Sequence, residues 1–226
     1  MQIPECFDHL VIAVPDLAEN VEQCERILGV RPVPGGSHPG LGTANALLGL
    51  DVDGDGDGDS ARGGDGPRPV YLEFIGPDPE QDPALAADRL AGITEPTVQR
   101  WAIRPVDFDA VVTAAATAPG PRVDLGAVAD MTRRTPDGEV LEWRLTRRMP
   151  LALGGIQPFL IDWKDTPHPS SRAMPRVGLT DFRARTPRVA ETLRTLDRLD
   201  ATIDVEAGDV ESLHATLKGP GGSWTI

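Results

Sequence analysis

Residues 8–17, DHLVIAVPDL, predict a buried strand that runs directly into a helix. Because side chains alternate between the two faces of a strand, His9 shares one face with Phe7 and Val11, while Leu10 lies on the other. A histidine is unusual in an otherwise apolar strand. If one face of the strand packs against a helix and the other lines a cavity, His9 projects into the cavity. His9 is therefore the first candidate site residue.

The composition is that of a soluble globular protein and limits the classes of partner. The chain has 226 residues, enough for one large domain or two small ones with a buried core. Its formal net charge of −13 argues against binding to nucleic acids or anionic membrane surfaces, because both require a basic face. We therefore expect neither a nucleic acid nor a membrane as a partner.

The two cysteines, Cys6 and Cys24, have neither the spacing of a zinc site nor that of a redox pair. The N-terminal residues lack the basic and apolar stretches of a signal peptide, and no apolar run is long enough to span a bilayer. These features predict a protein of the reducing cytoplasm.

The first part of the chain predicts a βαβββ unit. After the opening strand, Asp16 is placed to cap a helix that Gly29 ends. The glycine-rich residues 35–42 predict a loop, and strong strands follow over 43–50 and 70–75.

The same order of elements then returns, which indicates a repeated unit. Residues 83–91 predict a linker helix. A strand and a helix follow over 98–118, with Trp101 in the place that His9 holds in the first unit. The second unit is predicted to end with a strand over residues 139–148.

Several polar side chains are predicted to face the same cavity as His9. Glu73 lies in the middle of an apolar strand, where a carboxylate is costly to bury without a partner. The run that contains His38, Thr43 and Asn45 projects toward the mouth of the same cavity. Together with His9, these residues form the candidate site.

Residues 51–69 form an Asp- and Gly-rich low-complexity segment between two strands. Their Asp-x-Asp-Gly-Asp-Gly spacing is similar to that of a calcium loop. The twelfth position of an EF-hand loop is a bidentate Glu, but here it is Arg62 or Gly64, depending on the starting residue. The segment is either a calcium-binding loop or a solvated one.

Four motifs together resemble the glyoxalase-like domain proteins of the vicinal oxygen chelate superfamily, which includes glyoxalase I, bleomycin-resistance proteins and extradiol dioxygenases. The motifs are Asp8-His9-Leu10-Val11 with the following Val-Pro-Asp-Leu, Gly-Gly-x-His-Pro-x-x-Gly-Thr-x-Asn over 35–45, Tyr71-Leu72-Glu73, and Arg133-x-x-Pro136-Asp137-Gly138-x-x-Leu141-x-Trp143. The resemblance covers residues 5–165.

The resemblance implies an α+β fold in which paired βαβββ modules form an open, cup-like mixed sheet with helices on its convex face. The modules would span residues 5–95 and 96–150, within a domain at 1–165. Residues 166–226 would add a partial third βα unit packed on that domain.

In metal-using members of the superfamily, the first and last strands of each module hold one divalent ion, which implies the positions His9, Glu73, Trp101 and Glu142. Trp101 cannot be a ligand, because its indole N–H only donates hydrogen bonds. The resemblance therefore leaves His9, Glu73 and Glu142 as ligands of a divalent metal ion of unknown identity, with His38 as a further ligand. Alternatively, Glu142 pairs with an arginine.

The resemblance also implies a small-molecule enzyme, with or without metal, that carries out isomerase, lyase or related chemistry on an oxygen-bearing substrate. Its catalytic residues would be Glu73 and His9. The expected substrate contacts are His38, Thr43, Asn45, Trp101 and Arg133. The alternative is metal-free binding or sequestration of an organic molecule, as in bleomycin-resistance proteins. Either function predicts a small-molecule partner and a monomer or homodimer.

Overall fold

The computed structural model describes residues 1–52, 69–117, 122–135 and 138–226. Its strands are β1 (Phe7–Ala13), β2 (Val33–His38), β3 (Thr43–Asp51), β4 (Tyr71–Pro77), β5 (Thr97–Ile103), β6 (Ala127–Arg134), β7 (Val140–Arg147), β8 (Phe159–Asp162), β9 (Arg176–Thr186), β10 (Asp204–Ala207), β11 (Ser212–Gly219) and β12 (Gly222–Thr225). Its helices are α1 (Leu17–Leu28), α2 (Phe108–Thr117) and α3 (Val189–Arg198), with 3-10 turns at Pro83–Ala86, Ala152–Gly155 and Pro169–Ser171. The predicted calcium-binding or solvated loop lies almost wholly outside the described residues.

Local sequence signals account for the strand-to-helix junctions of both modules. Asp16 Oδ1 accepts a hydrogen bond from the Glu19 N–H (2.9 Å) at the start of α1, and Gly29 ends the helix in the left-handed region. At the second junction, Asp107 Oδ1 accepts in the same way from the Ala110 N–H (2.9 Å). The two caps hold the same place in two units of the same kind. The predicted pair of βαβββ units is confirmed.

The strands form one mixed sheet in the order β12-β11-β9-β3-β2-β6-β7-β8-β5-β1-β4, and β10 pairs with β9. A further pairing between β3 and β4 closes β1 to β8 into a barrel-like cup. The α+β fold predicted from the sequence is therefore correct. The C-terminal strands extend the same sheet, because β9 runs parallel to β3. The predicted domain boundary at residue 165 remains a proposal.

The sheet separates two apolar layers. The larger one packs the helices against the outer face of the barrel and includes Phe7, Leu10, Cys24, Phe108 and Leu196. The smaller one lies inside the barrel and includes Leu47, Tyr71, Leu141, Trp143 and Trp163. The helices thus lie on the convex side, as predicted, and the concave side is left for a ligand.

Residues 35–38, predicted as loop, belong to β2 instead. Gly36 has a φ of 139°, and a Cβ on it would lie 2.2 Å from the Arg134 carbonyl oxygen of the neighbouring strand. The glycines therefore permit a close approach of two backbones rather than a loop. The linker helix predicted over 83–91 is only the 3-10 turn Pro83–Ala86.

The second module also differs from the prediction at its end. Its third strand after the helix is β8, and the strand predicted as the last one, over 139–148, is β7. Strand β8, the fourth strand of the module counted from β5, lies in a Pro-rich segment for which the sequence predicts no strand. This difference changes which residues of the two modules are equivalent.

Candidate functional site

The inside of the barrel is a cavity of about 710 Å³, large enough for a small organic molecule. Five of the predicted site residues line it: His9, His38, Asn45, Glu73 and Arg133. The strand alternation that predicted this grouping places their side chains on the concave face.

His9 is held from behind by a buried carboxylate. Its Nδ1 lies 2.6 Å from Asp8 Oδ1. Burial alone would raise the pKa of Asp8, but hydrogen bonds from His168 and His9 outweigh it and hold this pKa well below its usual range. Because an ionised carboxylate only accepts hydrogen bonds, the proton of a neutral His9 is on Nδ1, and the lone pair of Nε2 is directed away from Asp8.

Asp8 is itself fixed by two further donors. Trp163 Nε1 donates to Asp8 Oδ2 (3.2 Å), and His168 Nε2 lies 3.1 Å from the same oxygen. The Ser170 backbone N–H donates to His168 Nδ1, so the proton of a neutral His168 is on Nε2 and is donated to Asp8. These contacts leave Asp8 a single orientation toward His9.

On the cavity side, His9 Nε2 lies 3.8 Å from Glu73 Oε2. This separation is too long for a direct hydrogen bond. The His9 ring stacks on Tyr71, with centroids 4.5 Å apart, and meets the edge of Phe159 at 5.4 Å. The imidazole is thus fixed between two carboxylates and two aromatic rings.

Glu73 belongs to a polar network on the wall of the cavity. Asn45 Nδ2 donates to Glu73 Oε1 (2.6 Å), and Arg133 Nη1 donates to Asn45 Oδ1 (3.1 Å). His38 lies beside them, with Nε2 3.5 Å from Asn45 Nδ2 and Nδ1 3.0 Å from Thr43 Oγ1. Thr43 does not line the cavity, so its predicted substrate contact is corrected to a contact that orients His38.

The charge states of this network are set by burial and by neighbouring cations. Burial would raise the pKa of Glu73, but the positive field of its neighbours, including Arg89, and the Asn45 hydrogen bond hold it below its usual value. Burial lowers the pKa of His38 to about 3. At neutral pH Glu73 is therefore an anion and His38 is neutral.

Arginines supply much of the remaining polar lining. Arg89, Arg100 and Arg133 all line the cavity, and the Nε atom of each is buried without a hydrogen-bond partner among the described residues. Gln99 Nε2 donates to the Arg89 carbonyl oxygen (2.8 Å), which fixes the turn that bears Arg89. The Arg100 guanidinium lies over the Phe159 ring, 5.5 Å from its centroid.

Trp101 does not line the cavity, and its predicted role in substrate binding is corrected. The side chain is fully buried on the convex side, stacked on Phe7, and its Nε1 donates to the Ile156 carbonyl oxygen (2.9 Å). Trp101 pairs across the strands with Leu10, another residue of the outer core.

The helix caps identify the true counterparts of the first module's residues. When Asp16 is matched to Asp107, His9 corresponds to Arg100 rather than to Trp101. The strand registers agree with this match. Glu73 pairs with Val11 in the first module, and Phe159 pairs with Ala102, the counterpart of Val11, in the second.

The predicted metal set is not brought together. Glu142 is exposed on the outer face of β7, where its backbone contacts Thr166. Among the described residues, no group of three or more His, Cys, Asp or Glu side chains could hold a metal ion. His9, Glu73 and His38 remain in the cavity, with His38 Nε2 3.9 Å from Glu73 Oε1, and a guanidinium at the counterpart position of His9 adds positive charge. These residues do not fit a divalent ion.

The sequence prediction missed Asp8, Trp143 and Arg100 as parts of the site. Trp143 lines the cavity against Trp163. Asp8 had been placed on the opposite face from His9, and an irregular strand register between Phe7 and His9 brings it back. The adjacent Asp-His pair was the available signal.

A family model described as a glyoxalase-like domain matches residues 7–199. The chain is similar to Streptomyces coelicolor methylmalonyl-CoA epimerase in complex with 2-nitronate-propionyl-CoA, at 22% identity over 71% of this chain and 97% of that chain, with a TM-score of 0.42.

Two further solved structures show weaker identity. Methylmalonyl-CoA epimerase from Mycobacterium tuberculosis has 19% identity over 76% of this chain and 95% of that chain, with a TM-score of 0.39. A mutant of 4-hydroxymandelate synthase from Streptomyces coelicolor has 15% identity over 98% of this chain and 62% of that chain, with a TM-score of 0.45. The curated proteins gave no match. Across the described residues, every helix is too short or too polar to cross a bilayer.

Proposed function

The chain belongs to the glyoxalase-like domain family, and on that premise we propose that it is an enzyme that moves a proton within a small oxygen-bearing substrate. The observation that carries the proposal is the placement of His9 between two carboxylates. Asp8 lies on one side (2.6 Å) and Glu73 on the cavity side (3.8 Å). This is the arrangement expected of a general base whose protonated form must be stabilised.

In the proposed step, His9 Nε2 removes a proton from a carbon next to a carbonyl group. The electron pair of the C–H bond passes into the carbonyl and forms an enolate, and the proton on His9 is returned to the same carbon or to a neighbouring one. The ionised Asp8 and Glu73 both stabilise the imidazolium that exists between the two transfers. The reaction is therefore an isomerisation, or an elimination when a leaving group is present.

Glu73 has a different part from His9 in this proposal. Its low pKa makes it a weak base, and general bases are most effective when their pKa lies near the working pH. Its negative charge stabilises the proton that His9 carries on Nε2, the nitrogen on the cavity side. Its Oε1 accepts the hydrogen bond that orients the Asn45 amide. Asn45 and Arg133 can then donate hydrogen bonds to the substrate oxygens.

The alternative function is binding without chemistry, which the aromatic lining favours. Tyr71, Trp143, Phe159 and Trp163 all line the cavity and could stack on an organic ligand. A binding protein needs this surface but does not need a histidine held between two buried carboxylates. The orientation of His9 is what favours the enzyme.

The experiment measures proton exchange rather than a particular reaction. A panel of enolisable carbonyl compounds is incubated with the protein in D₂O, and deuterium incorporation is followed by mass spectrometry. Thermal shifts of the same mixtures report which compounds bind. We expect the wild type to catalyse exchange in at least one compound that raises its melting temperature.

Two variants and a matched control test the assignment. His9→Gln should lower the exchange rate by about a hundredfold or more while binding persists, and Glu73→Gln should lower it less. Glu142→Gln removes a carboxylate from the outer face and should leave exchange unchanged. Binding without any exchange would support the alternative, and full exchange by His9→Gln would refute the assigned base.

We further propose a reducing cytoplasmic setting and action as a monomer or homodimer on a small molecule. Cys6 and Cys24 are both in the thiol form rather than in a disulfide bond, which supports a reducing compartment.

A further inference from the structure

We propose that the cavity binds the carboxylate group of an anionic substrate among Arg89, Arg100 and Arg133. This inference rests on the proposed function and names the substrate class of the same site. It depends on the contrast between these three arginines and the arginines elsewhere in the chain.

Several arginines at the surface have carboxylate partners. Arg144 binds Asp109 and Asp162, and Arg176 binds Asp51. Among the described residues, Arg89, Arg100 and Arg133 take part in no ion pair, and the Nε atom of each is buried without a hydrogen-bond partner. Buried donors without partners are costly in a folded protein and call for an explanation.

Two of these charges, Arg89 and Arg100, also repel each other. Burial lowers the pKa of Arg89 to about 9, and the neighbouring charge of Arg100 acts in the same direction. Burial also lowers the pKa of Arg100 and of Arg133. The nearby anion, Glu73, already accepts a hydrogen bond from Asn45 and faces His9. A bound anion would relieve this repulsion and give the free N–H groups acceptors.

The position of Arg100 places this charge beside the proposed chemistry. Arg100 is the counterpart of His9 in the second module, and both side chains contact the ring of Phe159, at 5.5 Å and 5.4 Å from its centroid. A substrate lying on that ring would present one end to the base and the other to the guanidinium. This arrangement suits a carbon acid that has a carboxylate nearby.

The planar guanidinium group favours a carboxylate, because its N–H donors match two oxygens in one plane. The protein as a whole has a net charge of −13, so an anionic ligand is not attracted by the overall charge. Selectivity for an anion must then arise inside the cavity, where the low dielectric strengthens each interaction.

Binding is tested with malonate, its neutral dimethyl ester and inorganic phosphate, all at one ionic strength. Trp143 and Trp163 line the cavity, so tryptophan fluorescence reports occupancy, and the melting temperature gives a second measurement. We expect malonate to bind the wild type at least about tenfold more tightly than the dimethyl ester. Arg100→Gln should weaken malonate binding by a similar factor or more.

A matched control loses one positive charge that does not line the cavity. Arg188→Gln removes an exposed arginine whose partner is Glu211, and it should bind malonate as the wild type does. Without ligand, Arg100→Gln should melt at a higher temperature than the wild type, because a repelled and unpaired buried charge is gone. A structural arginine would show the opposite shift.

Equal binding of malonate by Arg100→Gln and the wild type would overturn the inference, and so would equal binding of the ester and malonate. Tighter binding of phosphate than of malonate would overturn the carboxylate assignment. These outcomes are separate from those of the exchange experiment. Malonate binding through Arg100 without any exchange would refute only the enzyme, while exchange in neutral compounds that Arg100→Gln leaves unchanged would refute only the anion.

Discussion

Acid should destabilise this protein through His38 before it acts on the carboxylates of the site. His38 is 3% exposed, and burial lowers its pKa to about 3. In the unfolded chain its pKa returns to about 6.5. Between these two values the unfolded state binds a proton that the folded state excludes. The free energy of unfolding therefore falls as the pH falls through this window.

The magnitude follows from the linkage relation. One proton bound only in the unfolded state gives a slope of about 1.4 kcal/mol per pH unit, which amounts to roughly 1.5 kcal/mol between about pH 6.5 and about pH 5. The carboxylates of Asp8 and Glu73 have folded pKa values below their unfolded ones, so the stability they contribute is lost only below about pH 4.5. The window from about pH 5 to about pH 6.5 thus isolates the histidines. Any folded pKa of His38 below about 4.5 gives nearly the same slope there.

Urea denaturation of the wild type and of His38→Gln across this window measures the slope directly. In the variant, the slope of the free energy of unfolding against pH should be smaller by about 1 kcal/mol per pH unit, whatever the absolute stability of the variant. Thr43→Val is the matched control, because it removes the hydrogen bond to His38 Nδ1 but keeps the titrating group. It should lower stability at every pH and keep the slope. An unchanged slope in His38→Gln would refute the conclusion that the folded state holds this histidine neutral.

Four other substitutions test separate parts of the structure. Asp8→Asn should lower deuterium exchange by about a hundredfold or more, because an amide that donates to His9 Nδ1 moves the remaining proton to Nε2; the exchange assay measures this. Trp101→Leu should lower the free energy of unfolding by about 3 kcal/mol without changing malonate affinity, whereas Trp143→Phe should reduce the ligand-induced fluorescence change; urea denaturation and titration separate the two. Gly36→Ala should cost about 2 kcal/mol or more in urea denaturation, because its Cβ would lie 2.2 Å from a carbonyl oxygen.

The sequence predicted the paired modules and the first half of the site because both depend on local signals. Strand alternation and helix caps are encoded within a few residues, and they place His9 and Glu73 on one face. The network of Asn45, His38 and Glu73 follows once β3 and β4 pair. The pairing of β3 with β4 runs in regular register over its whole length.

The second module was predicted less well, because side-chain alternation divides the residues of a strand between two faces but does not show which face lines the cavity. Trp101 was matched to His9 by aligning Val14 with Val106, one residue away from the alignment given by the caps. A shift of one residue exchanges the faces of a strand, so an outer core residue was predicted to line the cavity. Glu142 was misplaced because the outward face of β7 was predicted to face the cavity.

Irregular backbone and long-range contacts account for the other parts of the site that the sequence did not predict. The register irregularity near Asp8 has no composition signal, and it turns this carboxylate toward His9. The strand β8 lies in a Pro-rich segment, and its pairing with β5 depends on residues more than fifty positions apart. The contact of Trp163 with Asp8 spans 155 positions and could not be read from local pattern.

The two modules share one backbone frame but give the cavity opposite chemistry. Where the first module has His9 and Glu73, the second has Arg100 and Phe159, so two donors are matched by a cation and an apolar ring. A site with four donors would be symmetric about a central ion and would hold two substrate oxygens equivalently. This site is asymmetric, and a ligand can satisfy it in one orientation only, with its acidic carbon toward the base and its charge toward the arginine. Substitutions at Arg100 should therefore act mainly on KM and those at His9 mainly on kcat, because one side chain binds the substrate in the ground state and the other acts in the proton transfer.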